Sequence, residues 1–533
     1  MIQRYLLAAV CGPPSTVAAT WRALGQVLPH PCVAARKGTN DASAAMSAIA
    51  VVPGSPKNAI SRPVAVVASL AVGMALSFVL RLQPVWWMAW FAPALLLVLA
   101  FRAPAKDVPI LVTLSAIVAL APNIAYFATV MAWPAAVLVV CLQALLWRYT
   151  VLLTRRVVLR YRAAWTVFVF PLVWVTADML MARFLPDGNW GSVAYSQSEF
   201  LPLLQLFSVA GVPGVLFLLM LFASALAMAI APVGTVRHSR RTLIRVALLT
   251  AAFIGMGSYR MREPPAGEQV TFGLVAIDDA IGRTASASYS SRIRDQYDAH
   301  VASLAASGAQ IVVLPEKVAV LSDTQADEWR VHFSDVAKRH RVSLEVGVAV
   351  DSAGGRRNYS WVFDSAGQLA VRYHKHYMAP PERGDVPGSL FEVHRIGAQR
   401  YGVAICKDMH FATLGRAYGL LDADVMLVPA WDFGRDAWLG ARMTVVRGVE
   451  SGYVVVRSAR DGLLTVSDAY GRVIAERASA PMPGATLLVR TVVPLRVATI
   501  YGRIGDAFGW SCVAAFGALL LTTRGKEHAN IGA

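Results

Sequence analysis

Hydrophobic and polar positions divide the 533-residue chain into two regimes. From residue 63 to about 260, apolar runs follow one another at about 63–82, 85–101, 109–131, 132–153, 163–184, 203–232 and 242–258. A helix needs roughly 20 apolar residues to cross a bilayer, so 63–260 is predicted to be a seven-helix transmembrane domain. A further run near 506–523, within a closing segment 500–525, brings the expectation to about eight helices. Between these, over 268–495, strand-like stretches alternate with helical ones. Strands are expected at 270–277, 310–316, 342–350, 424–429 and 453–458, with a hairpin around 364–367. Helices are expected at 299–306, 327–341, 412–421 and 442–450. Such alternation predicts an α/β sandwich built on sheets.

Composition strengthens the membrane reading. Apolar residues make up 56% of the chain, charged ones only 16%, and the mean hydropathy is +0.50; a soluble domain carries about 25% charged residues. The net charge of +17 does not imply nucleic acid, because the basic residues cluster between apolar runs. Arg36, Lys37, Lys57 and Arg62, then Arg102 and Lys106, then Arg155, Arg156, Arg160 and Arg162, then Arg237, Arg240 and Arg241 mark alternate loops. The intervening loops carry little beyond Arg81 and Arg183. Positive residues favour the cytoplasmic side. The N-terminus is therefore expected in the cytoplasm, with residues 1–62 a loosely ordered extension, and 268–495 outside. The last helix returns Arg524 and Lys526 to the cytoplasm. The five cysteines show neither CxxC nor zinc-ligand spacing, and no Gly-rich phosphate loop occurs; no metal and no cofactor are expected.

The candidate chemistry centres on Val403-Ala404-Ile405-Cys406-Lys407-Asp408-Met409-His410. A buried strand runs into a thiol and then turns polar before a helix. A nucleophile on such a turn is exposed, and nearby backbone N–H groups can stabilise an oxyanion. Alone, Cys406 reads equally as a small buried hydrophobe. Two other strand ends change that: Val312-Val313-Leu314-Pro315-Glu316 presents a carboxylate, and Arg372-Tyr373-His374-Lys375 an ammonium. A carboxylate can take a thiol's proton, and an ammonium can stabilise the oxyanion. His374 and His376 alternate with Lys375 and so face away from it on a strand. Arg447 and Glu450, three apart on a predicted helix, read as a structural pair. Asp178, inside the fifth apolar run, is either functional or a carboxylate that reaches the interface or pairs with Arg183. The turn-rich loop after it, with Trp190, is either an interfacial anchor or part of a lipid entrance.

Glu316, Lys375 and Cys406, in this order and about 60 and about 30 residues apart, resemble the nitrilase (carbon–nitrogen hydrolase) superfamily. Trp431-Asp432-Phe433 and the stretches 441–453 and 459–471 extend the likeness over the soluble domain. Placed after seven runs and closed by an eighth, the domain is similar to the apolipoprotein N-acyltransferase family over roughly 63–525. Trp174 with Asp178, Tyr195-Ser196-Gln197 and the stretch 500–506 share in that likeness. The resemblance implies an extracytoplasmic α-β-β-α sandwich on a multi-pass bacterial cytoplasmic (inner) membrane protein, expected to be a monomer. It implies Cys406 as nucleophile, Glu316 as general base, Lys375 as oxyanion stabiliser and Glu382 in support. It also implies a phospholipid acyl donor and the lipid-modified N-terminal cysteine of apolipoproteins as acceptor.

Three departures bear on the substrates. Lys407-Asp408 stands where the family has Tyr-Glu. Pro380-Pro381-Glu382 is one residue shorter than the family's Pro-Phe-Gly-Glu. Asp187-Gly188-Asn189-Trp190 replaces Gly-Phe-Pro-Trp. Lys407, Asp408, Trp431, Asp178 and Trp190 are accordingly the candidate substrate-site residues. The rival functions are a membrane-tethered amidase or nitrilase, in which water accepts the acyl group, and a non-catalytic protein that keeps the fold.

Overall fold

The computed structural model describes residues 61–232, 235–262, 266–277, 287–481, 483–495 and 497–529. The predicted extension over 1–62 lies outside these apart from its last two residues. Helices α1 (Arg62–Leu80), α2 (Met88–Arg102), α3 (Val108–Leu120), α4 (Ile124–Val130), α5 (Trp133–Tyr161), α6 (Val169–Phe184), α7 (Phe207–Ile230) and α8 (Val236–Arg260) follow the predicted apolar runs. Among the described residues, six helical stretches are long and apolar enough to cross a membrane, with α3 and α4 counting as one and α6 taken from Ala164; Met88–Arg102 and Ala507–Thr522 are shorter apolar helices. The run predicted over 109–131 is interrupted by a 3-10 turn, Ala121–Asn123, where Pro122 lacks the N–H that a continuous helix would use. The helix predicted to end at 153 continues to Tyr161. Its basic residues do not end it, because long stems let a charged head lie along apolar surface; Arg155 donates to the Ala100 carbonyl at 2.7 Å.

The second regime folds into two stacked sheets. The first has the order β13-β1-β2-β4-β5-β6, with β3 also on β4. Its strands are β1 (Gly267–Ala276), β2 (Ile311–Val313), β3 (Val320–Ser322), β4 (Ser343–Ser352), β5 (Gly355–Phe363), β6 (Leu369–His374) and β13 (Ala485–Pro494). The second has the order β12-β11-β10-β9-β8-β7. It contains β7 (Val393–Ile396), β8 (Gln399–Val403), β9 (Val425–Trp431), β10 (Val454–Arg460), β11 (Leu463–Ser467) and β12 (Val473–Ala478). Phe272, Leu274 and Val313 from one sheet share a core with Val403, Leu427 and Val456 from the other. The outer face of the first sheet is covered by α9 (Ala287–Ala306) and α10 (Asp323–His340), through Tyr297, Trp329 and Phe333. Helices α11 (Ala412–Leu420) and α12 (Ala437–Ser451) lie on the second. The order of layers is α-β-β-α, as expected.

Helix α12 joins the two regimes. It is buried from Trp438 to Glu450, and Trp438, Met443, Val446 and Val449 belong to the same apolar core as the membrane helices. The Arg447–Glu450 pair read from the sequence exists, 2.9 Å apart and fully buried. Both members also reach across: Arg447 donates to the Tyr195 hydroxyl at 2.8 Å, and Glu450 accepts from the Val212 backbone N–H at 3.2 Å. That N–H lies at a kink. Gly211 inside α7 has φ 62° and ψ −164°, a region that only glycine enters freely. A Cβ on Gly211 would lie 2.4 Å from the ring of Tyr501, which precedes the closing helix α13 (Ala507–Ala529). Gly211→Ala should therefore destabilise the protein by at least about 1–3 kcal/mol from backbone strain alone. A fall of several degrees in the unfolding temperature of the detergent-solubilised protein is the expected result; an unchanged transition would contradict the packing described.

Candidate active site

Three strand ends converge. Glu316 follows β2, and its backbone N–H donates to the Ala430 carbonyl of the other sheet at 3.3 Å. The turn holding it lies flat on β4 because residue 347 is glycine: a Cβ there would sit 2.4 Å from the Pro315 carbonyl oxygen. Lys375 directly follows β6. Cys406 lies three residues past β8, opens a 3-10 turn (Cys406–His410), and has φ 46°. A left-handed non-glycine residue costs on the order of 1–3 kcal/mol and persists only where its surroundings enforce it. Asp408 supplies that enforcement. Its fully buried carboxylate accepts from the backbone N–H groups of Ile405, His376 and Tyr377 at 3.0, 3.1 and 2.9 Å, and from the Tyr373 hydroxyl at 2.8 Å. One side chain thereby clamps the turn of Cys406 to the segment that carries Lys375.

Glu316, Lys375, Glu382, Cys406 and Trp431 line one cavity of about 270 Å³, together with Lys317, Arg356, Asp385 and Phe433. Lys375 is the hub: its ammonium donates to Glu316 Oε1 and Glu382 Oε2, each at 2.6 Å. Asn358 bridges the same two carboxylates at 2.6 and 3.0 Å, and the Ala379 N–H donates to Glu382 at 2.9 Å. Lys317 pairs with Glu382 and, at 3.3 Å, with Asp385. The thiol of Cys406 donates to the Trp431 carbonyl at 3.5 Å.

Burial raises the Glu316 pKa; Lys375 opposes this and the charge of Glu382 adds to it, leaving a net rise. For Lys375, burial alone would lower the pKa, but Glu316 and Glu382 outweigh it and keep the ammonium charged. For Glu382, burial is outweighed by Lys375 and Lys317, which hold it below the usual carboxylate range. Burial, then the charge of Glu316, raises the Cys406 thiol well above its ordinary value. Two carboxylates with pKa values driven apart, beside a protonated thiol and a fixed cation, can move one proton to and from sulfur while the cation meets a developing oxyanion.

The other residues singled out from the sequence lie outside the cavity lining. Asp408 is the clamp just described; burial pushes its pKa up to about 6, against the pull of Lys375 and its donors. Lys407 is tied to Asp187 and Met378. Asp178 is buried in α6. Trp190 stacks on Tyr126, with ring centroids 5.4 Å apart. Sequence reasoning did not single out Asn358, Lys317, Asp385 or Arg457. Asn358 and Ser360 share one face of β5 and both are fully buried, which their polar identity alone does not announce. Arg457 grips Asp432 with two hydrogen bonds of 2.9 and 2.5 Å, a pairing set by β9 and β10 lying side by side.

Comparison with known proteins defines the class first. Residues 284–475 match the family model for carbon-nitrogen hydrolase, and residues 71–225 match that for the apolipoprotein N-acyltransferase N-terminal domain. An apolipoprotein N-acyltransferase of Geobacter metallireducens is 25% identical over 382 residues, covering 65% of this chain and 72% of the relative. One from Vibrio vulnificus is 22% identical over 387 residues, covering 63% and 71%. Among solved structures, an amidase from Nesterenkonia sp. aligns with 20% identity and a TM-score of 0.38, covering 45% of this chain and 94% of the amidase. The chain belongs to the apolipoprotein N-acyltransferase family, a membrane-embedded branch of the nitrilase superfamily.

The geometry of the clamp yields a prediction. In Asp408→Asn an amide NH2 replaces one acceptor oxygen and faces donors, and a buried donor left unpaired costs about 1–3 kcal/mol. The variant should unfold at lower temperature, and its Cys406 should be alkylated at an altered rate by a small electrophile. Wild-type values for both would remove Asp408 from the support of the turn.

Proposed function

We propose that the protein is an N-acyltransferase that moves a fatty acyl chain from a phospholipid, through a thioester on Cys406, to the α-amino group of the lipidated N-terminal cysteine of apolipoproteins. The observation that carries this reading is the thiol, carboxylate and ammonium of Cys406, Glu316 and Lys375 around one cavity, on a domain whose α12 is packed into the core of the apolar helices. The naming of the Geobacter and Vibrio relatives supports it. A lipid's reacting ester lies at the interface, which explains a multi-helix platform that a small amide would not need.

In the first half-reaction Glu316 takes the thiol proton as sulfur attacks the ester carbonyl. The oxyanion forms against the Lys375 ammonium and the backbone N–H of Lys407. The intermediate collapses, the lysophospholipid alkoxide leaves with the proton from Glu316, and a thioester remains. In the second, Glu316 accepts a proton from the attacking amine, an amide forms, and the departing thiolate recovers that proton. Glu382 holds Lys375 in place. Neither metal nor cofactor enters this scheme, and the chain acts as a monomer. The catalytic domain works on the extracytoplasmic face of a bacterial inner membrane, with the N-terminus and the C-terminus inside.

Donor phospholipid without acceptor should leave Cys406 carrying one acyl chain, detected by mass spectrometry and released by neutral hydroxylamine. Cys406→Ser should lose the adduct. Lys375→Ala should form it more slowly by on the order of 10²–10³-fold, as when an oxyanion donor is removed. Addition of a diacylglyceryl-cysteine peptide should discharge the adduct into an amide. Folded, lipid-competent protein with unmodified Cys406 would rule the reading out, and prompt release of free fatty acid would favour the water-using hydrolase.

A further inference from the structure

Lys407, next to the nucleophile, is almost fully buried, only 4% exposed. A buried ammonium must be compensated. It donates to Asp187 Oδ1 at 2.6 Å and to the Met378 carbonyl at 3.0 Å. Asp187 lies 220 residues earlier, in the loop after α6. Met378 lies on the segment between Lys375 and Glu382. One ammonium thus joins the nucleophile's turn, the lysine–glutamate segment and a loop of the membrane domain. The same loop is linked to the cavity lining through two further side chains: Trp190 stacks on Tyr126, whose hydroxyl donates to Asp436 at 2.7 Å. Asp436 in turn accepts from the backbone N–H of Phe433 at 2.8 Å, and Phe433 lines the cavity.

We infer that Asp187 and Lys407 are a positioning pair for acyl transfer, through which the membrane-domain loop fixes the main chain beside Cys406 relative to Lys375 and Glu382. The pair touches no reacting atom. It acts on where the Lys407 N–H stands when the oxyanion forms, and it rests on the acyl-transfer reading above. A displacement of about 1 Å at such a donor can slow a reaction roughly 100-fold. The role of the charge follows from burial. Without Asp187, Lys407 would keep a backbone carbonyl but lose its counter-charge, and it would relieve the burial by moving, taking the turn with it.

Asp187 is the clean place to test this, because its side chain is 47% exposed and its replacement removes no core packing. The assay is the single-turnover rate of thioester formation on Cys406, in full-length solubilised protein with a phospholipid donor. Asp187→Asn should be roughly 10- to 100-fold slower at saturating donor, with the half-saturating donor concentration unchanged. Asp187→Glu, which keeps the charge, should recover most of the rate. Asp187→Asn combined with Lys407→Met should be no slower than Lys407→Met alone, because the two groups act as one unit. An Asp187→Asn enzyme within about threefold of wild type, an Asp187→Glu enzyme as slow as Asp187→Asn, or losses that simply multiply would each overturn the pair. A wild-type enzyme that forms no thioester would remove the underlying reading and the pair with it. A normal wild type beside an unimpaired Asp187→Asn would remove the pair alone.

Discussion

Everything at the site depends on a lysine ammonium kept charged where water does not reach. Lys375 is 1% exposed and held between Glu316 and Glu382. Taking an ammonium and two carboxylates out of water costs several kcal/mol per ion, and their attraction repays this only with close geometry and further hydrogen bonds. Asn358, the Ala379 N–H and Lys317 supply those bonds. Well-packed apolar residues often match or exceed such a cluster in stability. Its presence is therefore better explained by what it does to protons than by what it does for folding.

The cluster is assembled from segments far apart in the chain, and the sheets bring them together. Glu316 hangs from the first sheet but donates its N–H to Ala430 of the second. Arg460 reaches from the second sheet to the Lys317 carbonyl of the first at 2.7 Å. The two sheets are stitched at the place where Glu316 and Cys406 line one cavity. Asp408 adds the third stitch. A slip of one residue in β6 or β8 would turn their side chains to the other face, and Asp408 would then lose its donors. The membrane helices join this frame through α12, where apolar packing supplies the adhesion and Arg447–Glu450 fixes the register through Tyr195 and Val212.

How much of this was legible in the sequence follows from the range of each interaction. Apolar runs and period changes are local, so the helices and the alternation over 268–495 could be read. Their ends were blurred where the chain breaks a local rule, as at Pro122 and at the basic end of α5. Glu316, Lys375 and Cys406 stood out because each closes a strand with a reactive group. The partners that tune them did not. Asn358, Lys317 and Asp385 are ordinary polar residues until β4, β5 and the loop after β6 fold together. Lys407 and Asp408 are adjacent in sequence yet do different things: one faces a loop of the membrane domain, the other folds back under Cys406. The 3-10 turn that opens at Cys406 sets those two directions, and no sequence pattern announces it.

The proton inventory of the cavity argues for one division of labour among its groups. Two carboxylates flank one ammonium, but their surroundings differ. Glu382 also faces Lys317 and is held anionic, so it cannot take up a proton usefully near neutral pH. Glu316, deeper and with one lysine contact, has its pKa raised, which makes it the stronger base of the two. The thiol's pKa is raised as well, so the proton rests on sulfur until a carbonyl arrives. That order suits a general base and disfavours a preformed thiolate. Under the proposed acyl transfer, negative charge would first appear on the substrate oxygen, where Lys375 could meet it with a full positive charge. A cation with its charge secured by Glu382, and a carboxylate with a raised pKa at Glu316, are what the proposed two half-reactions through a single thiol would require.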